Sequence, residues 1–202
     1  DNQLLRVSTD GVVKRVHSGF NGNPREVLWD GASIWITTDS AILYKLNPAT
    51  DQRAAFQVNN GTPNSMAYDG LADASDLASG VPGGNVWVAT DAGFMFKFSA
   101  EGIPTTFSGM PWTQPYGMAF DGTNMWVIDH TNGFIYKVTP GGVATPYAIT
   151  GNPWDIAFDG TDMWTANDDA STSKISSAGA ETNYPGLQSS ATGIAFDGAD
   201  MW

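Results

Sequence analysis

One phrase recurs five times in this chain: a short apolar segment, Asp-Gly, a spacer, then an apolar residue and Trp. The copies run Val27–Trp35 (VLWDGASIW), Met66–Trp87, Met118–Trp126 (MAFDGTNMW), Ile156–Trp164 (IAFDGTDMW) and Ile194–Trp202 (IAFDGADMW). Their terminal tryptophans stand 52, 39, 38 and 38 residues apart. A period near 38 with one insertion is the mark of a repeat architecture, and it restricts the fold before any local propensity is weighed.

Each repeat carries four short β signals. Met118-Ala119-Phe120 precedes Asp-Gly, which turns tightly because Gly accepts positive φ and Asp bonds nearby backbone. The Trp segment 125–128 follows, then a polar loop (129–133) and the alternating run Phe134–Val138. Thr-Pro-Gly-Gly leads to a fourth strand over 143–148. Every third strand has a cation at one register (Arg6, Lys45, Lys97, Lys137, Lys174), which period-2 alternation places on one face. No convincing amphipathic helix occurs. Four strands in about 40 residues, with aromatic and Gly marks in every unit, predict an all-β β-propeller.

The chain starts with a third and a fourth strand (Asn2–Ser8, Val12–Val16) and stops after a first and a second. Five of each strand type predict one domain over 1–202 with five four-stranded blades: 17–58, 59–108, 109–148, 149–185, and 186–202 combined with 1–16. That last blade would be a 2+2 composite that leaves no free sheet edge. The rival reading is a six- or seven-bladed ring of which this chain is an internal piece.

The net charge is −12, from 21 acidic and 9 basic residues. Nucleic acid is not an expected partner, because phosphate neutralisation needs clustered cations, and the third-strand cations are spread one per repeat in an acidic chain. The absence of Cys removes disulfides, thiol nucleophiles and Cys-ligated zinc. No run reaches the roughly 20 apolar residues of a membrane span. Low Lys with abundant Asn, Thr, Ser and Gly points to an extracellular, cell-surface or virion setting. The insertion, Leu71–Gly84, lies in a first-to-second-strand hairpin. Its Asp73 and Asp76, with Asp69, could meet at a calcium ion, but the spacing is not that of an EF-hand, and a solvated loop is the preferred reading.

In a propeller the fourth-to-first and second-to-third loops share one face, where ligands usually bind. They include Arg25-Glu26, Asn64-Ser65, Tyr116-Gly117, Trp154-Asp155 and Thr192-Gly193, which vary while the Asp-Gly turns at the other end do not. The second-to-third loops each hold Asp: Asp39, Asp91, Asp129, Asp168-Asp169. A carboxylate ring could hold a cation or polyol, but turn capping is the preferred reading. Tyr116, Trp154 and Trp112 lie near Pro, Asn and Asp and could stack on a sugar or aromatic ligand, the alternative being packing between blades. His130, beside Asp129, is the candidate acid–base group of this face, whereas His17 belongs to an outer strand. No Ser sits in a Gly-x-Ser-x-Gly elbow. The expected ligand set is Tyr116, Asp129, His130, Trp154 and Asp168. His130 and Asp129 would be the catalytic pair if there is chemistry. No cofactor is expected; Mg2+ or Ca2+ are the ions the carboxylates could take.

The core Pro-Tyr-Gly-Met-Ala-Phe-Asp-Gly-Thr-Asn-Met-Trp-Val (115–127), followed by Phe-Ile-Tyr-Lys-Val-Thr-Pro-Gly-Gly (134–142), resembles the streptogramin lyase-like propellers. It is also similar to NHL and YVTN-type repeat proteins. The resemblance implies the propeller fold. For the lyase branch it implies C–O elimination that opens a cyclic depsipeptide, by a His base with a Glu and a second His around magnesium. In that branch an acidic residue commonly follows the repeat Trp by three positions; here the place holds Thr38, Thr90, Asp129 and Asn167, so only Asp129, followed by His130, matches in kind. Without a second ligand-face His or a Cys, the expectation is a non-enzymatic recognition module, possessing a ligand face for a small molecule, glycan or protein surface. A magnesium-dependent lyase and a structural spacer in a fibre are the alternatives.

Overall fold

The computed structural model describes residues 2–70 and 83–202, so Asp73 and Asp76 of the insertion lie outside the described residues. The chain is an all-β propeller of five antiparallel sheets. The first is a hairpin, β1 (Leu4–Val7) and β2 (Val13–His17). Four complete sheets follow: β3 (Pro24–Trp29), β4 (Ile34–Thr38), β5 (Ile42–Leu46) and β6 (Arg53–Gln57); β7 (Pro63–Tyr68), β8 (Val86–Thr90), β9 (Phe94–Phe98) and β10 (Pro104–Ser108); β11 (Pro115–Phe120), β12 (Met125–Asp129), β13 (Phe134–Val138) and β14 (Ala144–Ala148); β15 (Pro153–Phe158), β16 (Met163–Asn167), β17 (Ser171–Ile175) and β18 (Glu181–Pro185). Within each sheet the strands pair in chain order. The inner strands β3, β7, β11 and β15 pack each on the next. Among the described residues no helix is long and apolar enough to cross a membrane.

The repeated Asp does more than turn the chain. Asp121 accepts the Thr123 and Asn124 amides through Oδ1, and Oδ2 takes the Trp126 indole N–H at 2.7 Å. Asp30, Asp69, Asp159 and Asp197 hold Trp35, Trp87, Trp164 and Trp202 the same way. A buried indole N–H is thus satisfied within its own blade, as burial requires.

The Trp ring is then covered by two neighbours. Trp126 pairs across the ladder with Lys137, whose ammonium lies 5.3 Å from the ring centroid, while Tyr147 of the fourth strand stacks at 5.8 Å. Lys45, Lys97 and Lys174 lie over their own tryptophans, and Phe56, Phe107 and Tyr184 repeat the stack. Lys137 Nζ also donates to the Ser177 carbonyl of the following blade at 2.8 Å, and Lys45 Nζ reaches the Ala100 carbonyl likewise. The same following turn sets a glycine against the aromatic ring: a Cβ on Gly142 would stand 2.2 Å from Phe107, and Gly102 and Gly179 approach Phe56 and Tyr147 as closely. Lys45 and Lys137 are therefore inter-blade latches, whereas Lys174 pairs with Asp162 of its own repeat at 2.9 Å.

The cores lie between sheets. One cluster joins Trp87 and Met95 to Trp112, Met118, Met125 and Tyr136; another joins Trp35 and Leu43 to Met66, Val88 and Phe98; a third joins Trp126 and Ile128 to Ile156, Met163 and Ile175.

The expected composite sheet of the two ends is not made in this structure. β1 pairs only with β2, and residues 194–202 form a short hairpin bridged at Phe196 and Met201. Each end is held by its own neighbour instead. Arg6 donates to the Pro48 carbonyl, and Arg15 pairs with Asp51 at 2.8 Å, which fixes the N-terminal hairpin against the β3–β6 sheet. The C-terminal hairpin lines a cavity of about 550 Å³ with Trp164, Ala166 and Thr172. Val27, whose counterparts Met66, Met118 and Ile156 are buried between blades, is 52% exposed.

Candidate functional site

Each second-to-third loop is tied to the segment that precedes its own first strand. The amides of Asp39, Asp91, His130 and Asp168 donate to the carbonyls of Asn23, Thr62, Gln114 and Asn152. The carboxylates reciprocate: Asp39 accepts the Asn23 amide, Asp91 that of Thr62, Asp129 those of Thr113 and Gln114, and Asp168 that of Asn152. These loops therefore lie side by side on one face, and the preferred capping reading describes their Asp residues. The cap reaches the segment before the first strand, and in Asp129 it also takes the Thr131 amide of the residue's own turn.

Among the five sequence-predicted ligand residues, three meet directly. Tyr116 on β11 and Trp154 on β15 occupy the same register one repeat apart, and their rings are stacked 4° from parallel with centroids 5.3 Å apart. The stagger fits the offset geometry that aromatic pairs prefer. His130, just after β12, leans on both, 3.9 Å from Trp154 and 5.5 Å from Tyr116. Its Nδ1 lies 3.3 Å from the Pro153 carbonyl oxygen, which leaves Nε2 as the nitrogen available to a ligand. All three side chains are half-buried.

Asp129 takes a different place. It is fully buried, and its oxygens accept from Thr113, Gln114, Thr131 and Asn132. It holds the loop that carries His130 and Gln114, and has no exposed oxygen to offer a ligand. Asp168, the fifth residue, accepts the Asn152 side chain at 2.9 Å. That hydrogen bond, opposed by desolvation and aided by the Asn152 amide and the nearby His130 ring, holds its carboxyl below the ordinary range. Trp112 is core: it is buried, donates its indole N–H to the Thr90 carbonyl, and meets Tyr136 edge-on.

Beside Tyr116 opens a cleft of about 440 Å³ lined by Arg25, Thr62, Asn64, Asp91, Thr113, Gln114 and Tyr116. Arg25 Nη1 donates to Asn64 Oδ1 at 2.7 Å, a contact between first-strand registers of adjacent blades.

Sequence reasoning missed Glu26. Its register is filled by Ser65, Gly117, Asp155 and Gly193 in the other repeats, so no consensus residue sets Glu26 apart. Glu26 Oε2 is buried without a hydrogen-bond partner, as is Ser65 Oγ. Desolvation, with the Asp155 charge adding to it and the Met66 amide opposing it, pushes the Glu26 carboxyl up to about 8. Asp155 itself accepts the Ile156 and Ile194 amides.

A divalent metal centre does not fit these residues. Among the described residues no three His, Cys, Asp or Glu side chains converge on one point, and the carboxylates of the face are engaged by loop amides.

With the geometry in view, the chain overlays the virginiamycin B lyase of Staphylococcus aureus at a TM-score of 0.82, with 19% identity, over 100% of this chain and 69% of that one. The fold is that of the virginiamycin B lyases. A catalytically inactive variant of the same lyase, solved with quinupristin, matches at a TM-score of 0.81 and 18% identity over the same shares. A streptogramin B lyase structure matches at 0.77 and 16%, over 96% of this chain and 66% of the other. No family model and no curated protein matches the sequence. At these identities the likeness to the lyases is one of fold.

Proposed function

We propose that this propeller is a recognition module that binds a ring-bearing small ligand, a sugar above all, on the ledge formed by Tyr116, Trp154 and His130. The observation that carries the reading is the near-parallel Tyr116–Trp154 pair capped by His130. These are three flat, half-buried rings from two blades, gathered on the face where the variable loops lie. Flat aromatic surface bordered by a few fixed polar groups is the usual composition of a small-molecule pocket. Asp129 and Asp168 serve it by fixing the loops. Titration of intrinsic fluorescence with a panel of oligosaccharides tests it, because Trp154 lies in the site. Binding that is reduced at least tenfold in Trp154→Ala and in Tyr116→Ala is expected; affinity unchanged in both variants would refute the ledge.

A second reading, a C–O lyase acting on a cyclic depsipeptide, is favoured by one observation: the overlay on a lyase solved with quinupristin. His130 is the only imidazole of the face and would be the base that takes the proton. Glu26, whose carboxyl burial pushes up to about 8, would be the acid that offers a proton to the departing oxygen. Incubation with quinupristin, followed by mass spectrometry, decides it. Linearised product that disappears in His130→Ala would replace the recognition reading with the lyase one.

A further inference from the structure

The cleft next to Tyr116 is chemically unlike the ledge. Its lining is almost wholly polar, and it borders the ring that ends the Tyr116–Trp154 stack. Arg25 is the only Arg or Lys in the first-strand entries or in the loops of this face; the other cations belong to β1, β2, the third strands or the start of β6. It is held in place by Asn64 Oδ1, an anchor that occupies one of five guanidinium N–H groups. Among the described residues Asn64 Nδ2 and Gln114 Nε2 have no hydrogen-bond partner, although Gln114 Oε1 is fixed by the Thr131 hydroxyl at 2.6 Å. Asp91 Oδ1 accepts the Thr62 amide, which leaves Oδ2 as an acceptor.

We infer that this cleft binds a carboxylated pyranose, its carboxylate on Arg25 and its ring against Tyr116, as the acidic unit of the ligand whose next ring lies on the ledge. The inference rests on the recognition reading above and adds the charge of the ligand. The physical grounds are three. A guanidinium pairs with carboxylate through two parallel hydrogen bonds and stays charged throughout the working pH range. Planar amides with free N–H groups, and one carboxylate oxygen, match vicinal hydroxyls as donors and acceptor. Finally, in a chain of net charge −12 the only Arg or Lys of the loop face is a point at which an anion is attracted. A uronic acid and a sialic acid share this chemistry, and the test separates them.

Digalacturonate is titrated by calorimetry against its dimethyl ester, and sialyllactose against lactose, on the intact protein. At least one acid is expected to bind tenfold or more tightly than its neutral counterpart, and the pair that shows the preference identifies the sugar class. Arg25→Gln should erase that preference, so that acid and neutral forms bind this variant alike, and 0.5 M salt should reduce it. Trp154→Ala should weaken acid and neutral forms by the same factor. Equal affinity of acid and neutral forms, or a preference that survives Arg25→Gln, overturns the carboxylate inference and leaves the ledge intact. Failure of all four compounds to bind overturns the sugar ligand and this inference together.

Discussion

Two kinds of carboxyl group are built into this molecule, and they respond to pH in opposite directions. Burial pushes the Asp121 carboxyl up, but hydrogen bonds from the Trp126 indole and the Asn124 and Thr123 amides outweigh it and leave it below the ordinary value of 3.8. Such a group stabilises the fold above its unfolded pKa and loses that contribution as pH falls through the depressed value. Asp121→Ala removes four hydrogen bonds and strands a buried indole N–H. The expected loss is about 2 kcal/mol, read as a lowered urea midpoint at pH 7. Glu26 behaves in reverse. Its folded value, raised from 4.5 to about 8, gives a contribution fully present below 4.5 and lost as pH climbs toward 8. Glu26→Gln should therefore raise the melting temperature at pH 7.5 and flatten the decline between pH 5 and 8, by about 2 kcal/mol at neutrality. An unchanged pH profile in this variant would show that Glu26 ionises normally.

Between strands and blades the strongest local constraint is the latch. Gly142 has φ +83°, and any Cβ would stand 2.2 Å from Phe107, whereas Gly122 has a similar φ of +90° with open space around it. Gly122→Ala should cost about 1 kcal/mol for backbone strain alone, and Gly142→Ala about 2 kcal/mol more for the clash; paired thermal melts measure the difference. Lys137→Met keeps the aliphatic cover of Trp126 but loses the cation–π contact and the bond to Ser177, an expected loss of about 1 kcal/mol. The strand order was legible because Asp-Gly, Trp and the third-strand cation recur at fixed spacing. What Lys45 and Lys137 touch was not legible, since the acceptor is a main-chain carbonyl one blade away and carries no side-chain signature. The ledge was half legible: the 38-residue offset of Tyr116 and Trp154 announces equivalent registers, yet burial of Asp129 depends on which amides the neighbouring loop turns toward it. Glu26 was overlooked because the repeat holds two glycines, a serine and an aspartate at that register, which gives no consensus to depart from.

On the scale of the whole chain, stability is arranged as a succession of interfaces, since every large apolar cluster draws side chains from two adjacent sheets. Hydrogen exchange followed by mass spectrometry should show the slowest amides in β4, β8 and β12, whose residues are almost all buried. The fastest strand amides should lie in β1 and β2, where Leu5, Val7, Val13 and Val16 are exposed. Uniform protection across the five sheets would argue instead for a single cooperative core.

The latch also has a direction. At the joints made by Lys45 and Lys137, ammonium and aromatic ring belong to the earlier blade, and carbonyl and glycine to the later one, so such a unit presents a plug on one flank and a socket on the other. Head-to-tail contacts of this kind add units without limit until accumulated rotation brings plug to socket. No individual side chain counts the units; the angle per step does. A duplicated 38-residue segment inserted at one of the latch turns, between Thr139 and Val143 for example, would carry both halves of the joint with it. The same segment spliced out of phase would leave a lysine facing no carbonyl and a tyrosine facing water.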